Sequence, residues 1–166
     1  MTAPVRLPDA ASLQAVLAGL DPGAVDDVIA GCVDAIGPQA GNIARLSWLA
    51  AGYPEEVPGV TVDRQCGSSQ QALHFAAQAV MSGTMDVVLA GGVESMSRVP
   101  MGMPSMLPMK AGFGTYKGPK MEERYPGIQF SQFAGAEMIV KKHGLTKDEL
   151  DEFGYNSHQK AIRATQ

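Results

Sequence analysis

A chain of 166 residues, 45% of them apolar, is long enough to build a core and ordinary in its hydrophobicity. Its formal charge of −4 excludes the basic surface that nucleic acid or an anionic membrane would demand, and no apolar run reaches the ~18 residues of a membrane span. Two cysteines, Cys32 and Cys66, make no disulfide framework; with no basic-then-apolar leader they read as reduced thiols of a cytoplasmic protein.

The first element is a short helix over Asp9–Gly19, with Leu13, Val16, Leu17 and Leu20 at helical spacing on one face. Asp21-Pro22-Gly23 turns the chain into a strand between Val25 and Val33, centred on Val28-Ile29-Ala30, where Cys32 is a buried strand-end residue. After the Gly37–Gly41 loop, a helix runs from Asn42, its N-cap, to Ala51, with Ile43, Leu46 and Leu49 as the expected buried stripe. Trp48 and Tyr53 are expected to pack against the sheet. Gly52 and Pro54 end that helix.

Val57–Asp63 is a β-branched run that suits a second strand, and Arg64-Gln65-Cys66-Gly67 then breaks its character. Ser68–Met81 is Ala-rich, contains no Gly or Pro, and is long enough for four helical turns. It is apolar almost all round, which predicts burial on every side. Ser82-Gly83 stops it, and Met85–Ala90 starts a third strand. Strand–helix–strand–helix–strand implies parallel pairing through right-handed crossovers, an α/β layered fold. No G-x-G-x-x-G or P-loop pattern follows a strand, which argues against dinucleotide or ATP binding, and Ala90-Gly91-Gly92 points to close backbone packing under the Cys66 turn.

Between Ser97 and Gly127, Met101, Met103, Met106 and Met109 alternate with Pro100, Pro104, Pro108, Gly112, Gly114, Gly118 and Pro119. That mixture predicts no regular element, and leaves either a functional loop or an ordinary insertion. Flexible Met side chains suit an adaptable apolar surface, with Met101 and Met103 as candidate substrate-binding residues. Phe133–Lys142 and Thr146–Ala164 read as two further helices, the second opened by a Thr146/Glu149 capping box.

Cys66 carries the chemistry. It stands where a strand turns into a helix, and the first helical turn presents N–H groups without intrahelical partners together with partial positive charge. Both favour a thiolate, Gly67 leaves room for an electrophile, and an N–H of the same turn could hold an oxyanion. Placement alone leaves Cys66 equally open as a nucleophile or as a small apolar residue. His74 lies eight residues further on, over two turns or ~12 Å along the helix axis, too far to serve the thiol as a base.

The residues V-D-R-Q-C-G-S-S-Q-Q-A, followed by D-V-V-L-A-G-G-V-E-S-M-S-R-V-P-M-G, resemble the thiolases, the CoA-dependent acyltransferases of fatty acid metabolism. D-D-V-I-A-G-C-V, G-N-I-A-R and T-K-D-E-L-D-E-F-G-Y-N-S-H-Q-K-A resemble thiolase segments in the same order, so that the similarity runs from about Leu20 to Gln166. The resemblance implies an incomplete thiolase N-terminal domain: a partial α/β core over residues 1–96, then a loop domain and trailing helices over 97–166, with the C-terminal half absent. It implies that Cys66 is the acyl-thioester nucleophile, and that the Met-rich stretch is the substrate-covering loop. Acyl-CoA and CoA are the expected substrates, no metal or resident cofactor is expected, and Lys110, Lys117, Lys120 and Arg124 stand where they could meet CoA phosphates or simply face solvent.

The resemblance also implies a sheet order of 3-2-4-5-1 in the family, of which this chain retains three adjacent strands and an open edge. The family's Gly-His-Pro histidine and Cys-x-Gly-Gly-Gly cysteine have no counterpart among His74, His143, His158 and Cys32. The expected activity is therefore acyl transfer through a Cys66 thioester, incomplete in this chain alone, with a homo-oligomer or a thiolase subunit as the expected partner. The alternatives are a non-catalytic protein that binds CoA esters and, third, a relative of the β-ketoacyl synthases.

Overall fold

The computed structural model describes residues 19–165, so the helix expected over Asp9–Gly19 lies outside the described residues except for its last position. The chain divides into two units, one ending at Tyr116 and the other beginning at Lys117.

The first unit contains β1 (Asp27–Gly31), α1 (Ile43–Ala50), β2 (Gly59–Val62), α2 (Ser68–Met81), β3 (Val88–Gly92) and α3 (Met103–Lys110). The strands form one sheet in the order β2-β1-β3, with β1 parallel to both neighbours. This is the contiguous three-strand set that the resemblance implied. β1 lies in the middle and supplies core to both faces. Its successive residues point to opposite sides: Val28 packs with Val25, Ala44, Trp48 and Val57, whereas Ile29 packs with Ala72 and Ala76. Helix α1 therefore covers one face and α2 the other, giving the expected α/β/α layers.

Asn42 caps α1 from a left-handed conformation, its side-chain oxygen accepting from the Arg45 N–H. The buried face of α1 differs from the expected stripe. Ile43, Ala44 and Trp48 are buried, while Leu46 and Leu49 are largely exposed. Small residues and one hydrogen bond decide this rotation. A Cβ on Gly59 would lie 2.9 Å from the Arg45 nitrogen, so the α1 backbone rests directly on β2 at that glycine. The Trp48 indole N–H donates to the Pro54 carbonyl at 2.8 Å, with its ring 4.6 Å from Tyr53.

Helix α2 begins and ends where the composition placed it, but it is not buried on every side. Its small or polar residues Ser68, Gln71, Ala72 and Ala76 meet the sheet, whereas Leu73, Phe75, Val80 and Met81 face outward. The stretch between Ser97 and Gly127 also departs from expectation, for it contains two short helices, α3 and, in the second unit, α4 (Pro119–Arg124). Pro104 and Pro119 lie in the first turns of these helices, where a missing N–H costs nothing, so they start helices rather than prevent them, while Pro108 is accommodated inside α3.

The second unit continues with α5 (Gln132–His143) and α6 (Lys147–Thr165). The capping box is present: Glu149 Oε2 accepts from the Thr146 N–H at 2.8 Å, and the Glu149 N–H donates to Thr146 Oγ1. The bond from the Thr146 N–H, and after it the bond from the Thr146 hydroxyl to the same oxygen at 2.9 Å, hold the Glu149 carboxyl below the usual carboxylate range. Before α5, Tyr125 meets Phe130 edge to face, and the Lys117 ammonium lies 5.0 Å from the Phe130 ring centre. Among the described residues, no helix is long and apolar enough to cross a membrane.

Candidate active site

The carboxyl ends of three parallel strands converge under the start of α2, and two glycines make that approach possible. A Cβ on Gly31, the last residue of β1, would fall 2.3 Å from the Ser68 carbonyl carbon. One on Gly92, the last residue of β3, would fall 1.9 Å from Ser69 Oγ. Gly91 is different, since nothing lies within 4 Å of a Cβ there. Close packing under the turn is thus carried by Gly92 and, from β1, by Gly31.

Between β2 and α2 the chain makes an elbow. Gln65 sits in the left-handed region at φ 50°, an uncommon conformation for a residue with a side chain. Its N–H donates to Asp63 Oδ1 at 2.8 Å, and its carbonyl accepts from both the Ser68 N–H and the Ser68 hydroxyl, at 3.0 and 2.5 Å. Ser68 Oγ also accepts from the Arg64 N–H at 2.9 Å. Cys66 follows at the tip and is exposed. Gly67 then takes the N-cap position of α2, where no side chain caps the first turn. A Cβ on Gly67 would make only ordinary contacts, the nearest at 3.5 Å to the Arg64 carbonyl oxygen. The chain's own packing does not require glycine there.

The elbow opens on a cavity of about 460 Å³, whose wall includes Cys66, Ser69, Cys32, Glu94, Met96 and Met101. Met101 thus lies on the cavity with Cys66. Met103 is the half-buried first residue of α3 and is not among the lining side chains.

Cys32 also faces this cavity, but it is 1% exposed. Burial, followed by the negative charges of Glu94, Asp34 and Asp63, pushes its thiol up to about 11. It is therefore a neutral thiol at physiological pH, in keeping with a structural strand-end residue.

Sequence reasoning missed the polar frame of the cavity. Glu94, just beyond β3, accepts from the Val33 N–H at 2.7 Å, from the Asp34 N–H at 3.3 Å and from Gln39 Nε2 at 2.8 Å. The Gln39 side-chain oxygen takes the Ser95 N–H at 2.6 Å, while its amide also donates to the Asp34 carbonyl. The Gly102 N–H, next to Met101, donates to Asp34 Oδ1 at 3.4 Å. This network ties the segments after β1 and β3 to the Met101 turn. Apart from the Gln39–Asp34 bond, its partners stand 55 to 68 residues apart, beyond the reach of any local pattern. Among the described residues, no group of three or more His, Cys, Asp and Glu is placed to hold a metal ion.

Comparison with known proteins agrees with the geometry. The family profile described as "Thiolase, N-terminal domain" matches residues 9–166. The chain is 58% identical over 147 residues to the steroid 3-ketoacyl-CoA thiolase FadA6 of Mycobacterium tuberculosis, covering 87% of this chain and 36% of that protein. It is 43% identical over 146 residues to the 3-ketoacyl-CoA thiolase of Idiomarina loihiensis, covering 88% of this chain and 35% of that one. Among solved structures, the Bacillus anthracis acetyl-CoA acetyltransferase superposes with a TM-score of 0.69 at 34% identity, over 92% of this chain and 40% of its own. The chain spans about a third of the length of the curated relatives it matches. It belongs to the thiolase family, of which it carries the N-terminal domain.

Proposed function

We propose that this chain is the acyl-accepting part of a 3-ketoacyl-CoA thiolase, with Cys66 as the nucleophile. The observation that carries the reading is the exposed Cys66 sulfur at the strand-to-helix elbow, open to the cavity and placed at the N-terminus of a 14-residue helix. Aligned peptide dipoles there favour negative charge on the sulfur, and first-turn N–H groups are suited to an oxyanion. In the proposed step the thiolate attacks the 3-keto carbon, the bond between carbons 2 and 3 breaks, and acetyl-CoA departs as its enolate and takes up a proton. The acyl group stays on Cys66 as a thioester. The thiol of a second CoA then attacks that thioester, releases an acyl-CoA two carbons shorter and returns the cysteine.

The second step needs a base to deprotonate CoA. His74 lies exposed on α2, two turns beyond the nucleophile, and neither Gly-His-Pro nor Cys-x-Gly-Gly-Gly occurs in the 166 residues. The chain alone is therefore expected to acylate without sustained turnover. CoA thioesters are its substrates, and no resident cofactor takes part in the proposed chemistry. Met96, Val93 and Met101 give the cavity an adaptable apolar wall. A relative 58% identical to this chain has a name that specifies a steroid substrate, and this supports a bulky alicyclic acyl group over a straight chain. β2 lies at the edge of the sheet with Val60 exposed, which suits pairing with a second copy.

Intact-mass spectrometry after incubation with alicyclic and straight-chain 3-ketoacyl-CoA tests the reading. A single acyl adduct, greater with the alicyclic ester and absent in Cys66→Ala, is expected. CoA-ester binding without any adduct would instead identify a non-catalytic binding protein, and steady product release would show that the chain supplies its own base.

A further inference from the structure

The reading of Cys66 as nucleophile raises the question of what holds its sulfur at the tip of the elbow. The residue before it, Gln65, is in a left-handed conformation that costs a side-chain-bearing residue free energy unless its surroundings impose it. Those surroundings are two side chains, one on each peptide group of Gln65. Asp63 Oδ1 takes the Gln65 N–H at 2.8 Å. The hydroxyl of Ser68, a residue only 4% exposed, donates to the Gln65 carbonyl at 2.5 Å and accepts the Arg64 N–H at 2.9 Å. Ser68 is itself fixed, because its main chain rests against Gly31 with no space for a Cβ between them. The clamp is thus anchored to the central strand of the sheet.

Asp63 is also an improbable neighbour for a cavity that is meant to hold a thiolate. Its negative charge reaches Cys32 and opposes ionisation there. A carboxylate in that place works against the chemistry unless its oxygen has another task, and the bond to Gln65 is that task.

We propose that Asp63 and Ser68 are positioning residues for Cys66: they hold Gln65 in the left-handed conformation and so present the sulfur to the cavity. The proposal rests on the nucleophile reading, but its test needs no acyl-CoA. The rate of Cys66 alkylation by iodoacetamide is measured by peptide mass spectrometry in the full chain, with Cys32 as the internal reference for intact folding. Asp63→Ala is expected to slow Cys66 about tenfold and Ser68→Ala several-fold, with Cys32 still protected. Asp63→Asn retains the acceptor oxygen and is expected to keep at least the wild-type rate.

The decisive variant is Asp63→Ala combined with Gln65→Gly, since glycine adopts positive φ without a clamp. It should recover most of the lost rate. Should Asp63→Ala unfold the chain, exposure of Cys32 reports it, and Gln65→Val against Gln65→Gly then carries the test: valine should slow Cys66 and glycine should not. Wild-type alkylation in Asp63→Ala, no recovery in the double variant, or equal rates for the valine and glycine variants would overturn the proposal. Failure of the thiolase reading looks different, for the alkylation pattern would hold while no acyl adduct formed.

Discussion

Two strand ends deliver a cysteine to the same cavity, and they deliver it in opposite states. At the end of β1, Cys32 is sealed from solvent, its backbone N–H bonded to Val62 of the neighbouring strand, and burial, aided by three carboxylates, keeps its proton in place. Beyond the end of β2, Cys66 stands exposed on an elbow at the start of a helix. The residue type and the cavity are shared. What differs is the backbone: a strand that runs straight buries its last thiol under a neighbour, whereas a turn forced through a left-handed residue lifts the thiol clear. Exposure is here a property of the turn, with the cysteine as its passenger.

The widest gap should be seen in labelling. At pH 8, iodoacetamide is expected to modify Cys66 at least ~100-fold faster than Cys32, because one sulfur is accessible and the other is buried and protonated. In denaturant the two rates should converge to within about twofold. A gap that survives unfolding would trace to local sequence rather than to fold.

Glycine substitutions break the comparison from below. Gly31→Ala would drive a methyl group into the Ser68–Ser69 peptide at 2.3 Å and push the start of α2 off the sheet. Destabilisation of ~3 kcal/mol or more is expected in urea titrations, with loss of the reactivity gap. Gly67→Ala meets only ordinary contacts and should leave the unfolding free energy within ~1 kcal/mol of wild type. Its effect should fall on reagents bulkier than iodoacetamide, which must pass the added methyl group to reach the sulfur.

The smallest effect is a pH dependence from Cys32. Its folded thiol holds the proton more tightly than the unfolded chain, at about 11 against an ordinary 9.0. The associated stability is fully present below about pH 9 and is lost as pH rises toward about 11. Comparing urea midpoints of wild type and Cys32→Ala at pH 8 and pH 10.5 measures it. Wild type should lose more stability over that interval, and parallel losses would show that the Cys32 thiol is not held protonated by the fold.

What could be read beforehand follows the range of each signal. The bounds of α2 and the thiol at its start are local features, written in an Ala-rich run between Gly67 and Ser82-Gly83. The parallel sheet follows from alternation of elements, and its order from resemblance. The rotation of α1 could not be read, since Leu46 and Leu49 fit the periodicity as well as Trp48 does. Contact with Gly59 and the Pro54 carbonyl made the choice. Pro104 and Pro119 misled because a proline suits the first turn of a helix, and Pro108 misled because α3 continues through it. Glu94, Gln39 and Asp34 read as scattered polar residues until the fold joins them, and the strain at Gln65 is invisible in a glutamine.

Of the two thiols on one cavity, the one on the elbow is expected to accept the acyl group. Site-resolved mass spectrometry tests it most directly: the chain is incubated with a 3-ketoacyl-CoA, digested at acid pH to preserve thioesters, and the acyl mass is assigned to the Cys66 or the Cys32 peptide. The account predicts the acyl group on Cys66 alone, at an occupancy unchanged in Cys32→Ala. Acylation of Cys32, or of both thiols in similar proportion, would contradict it.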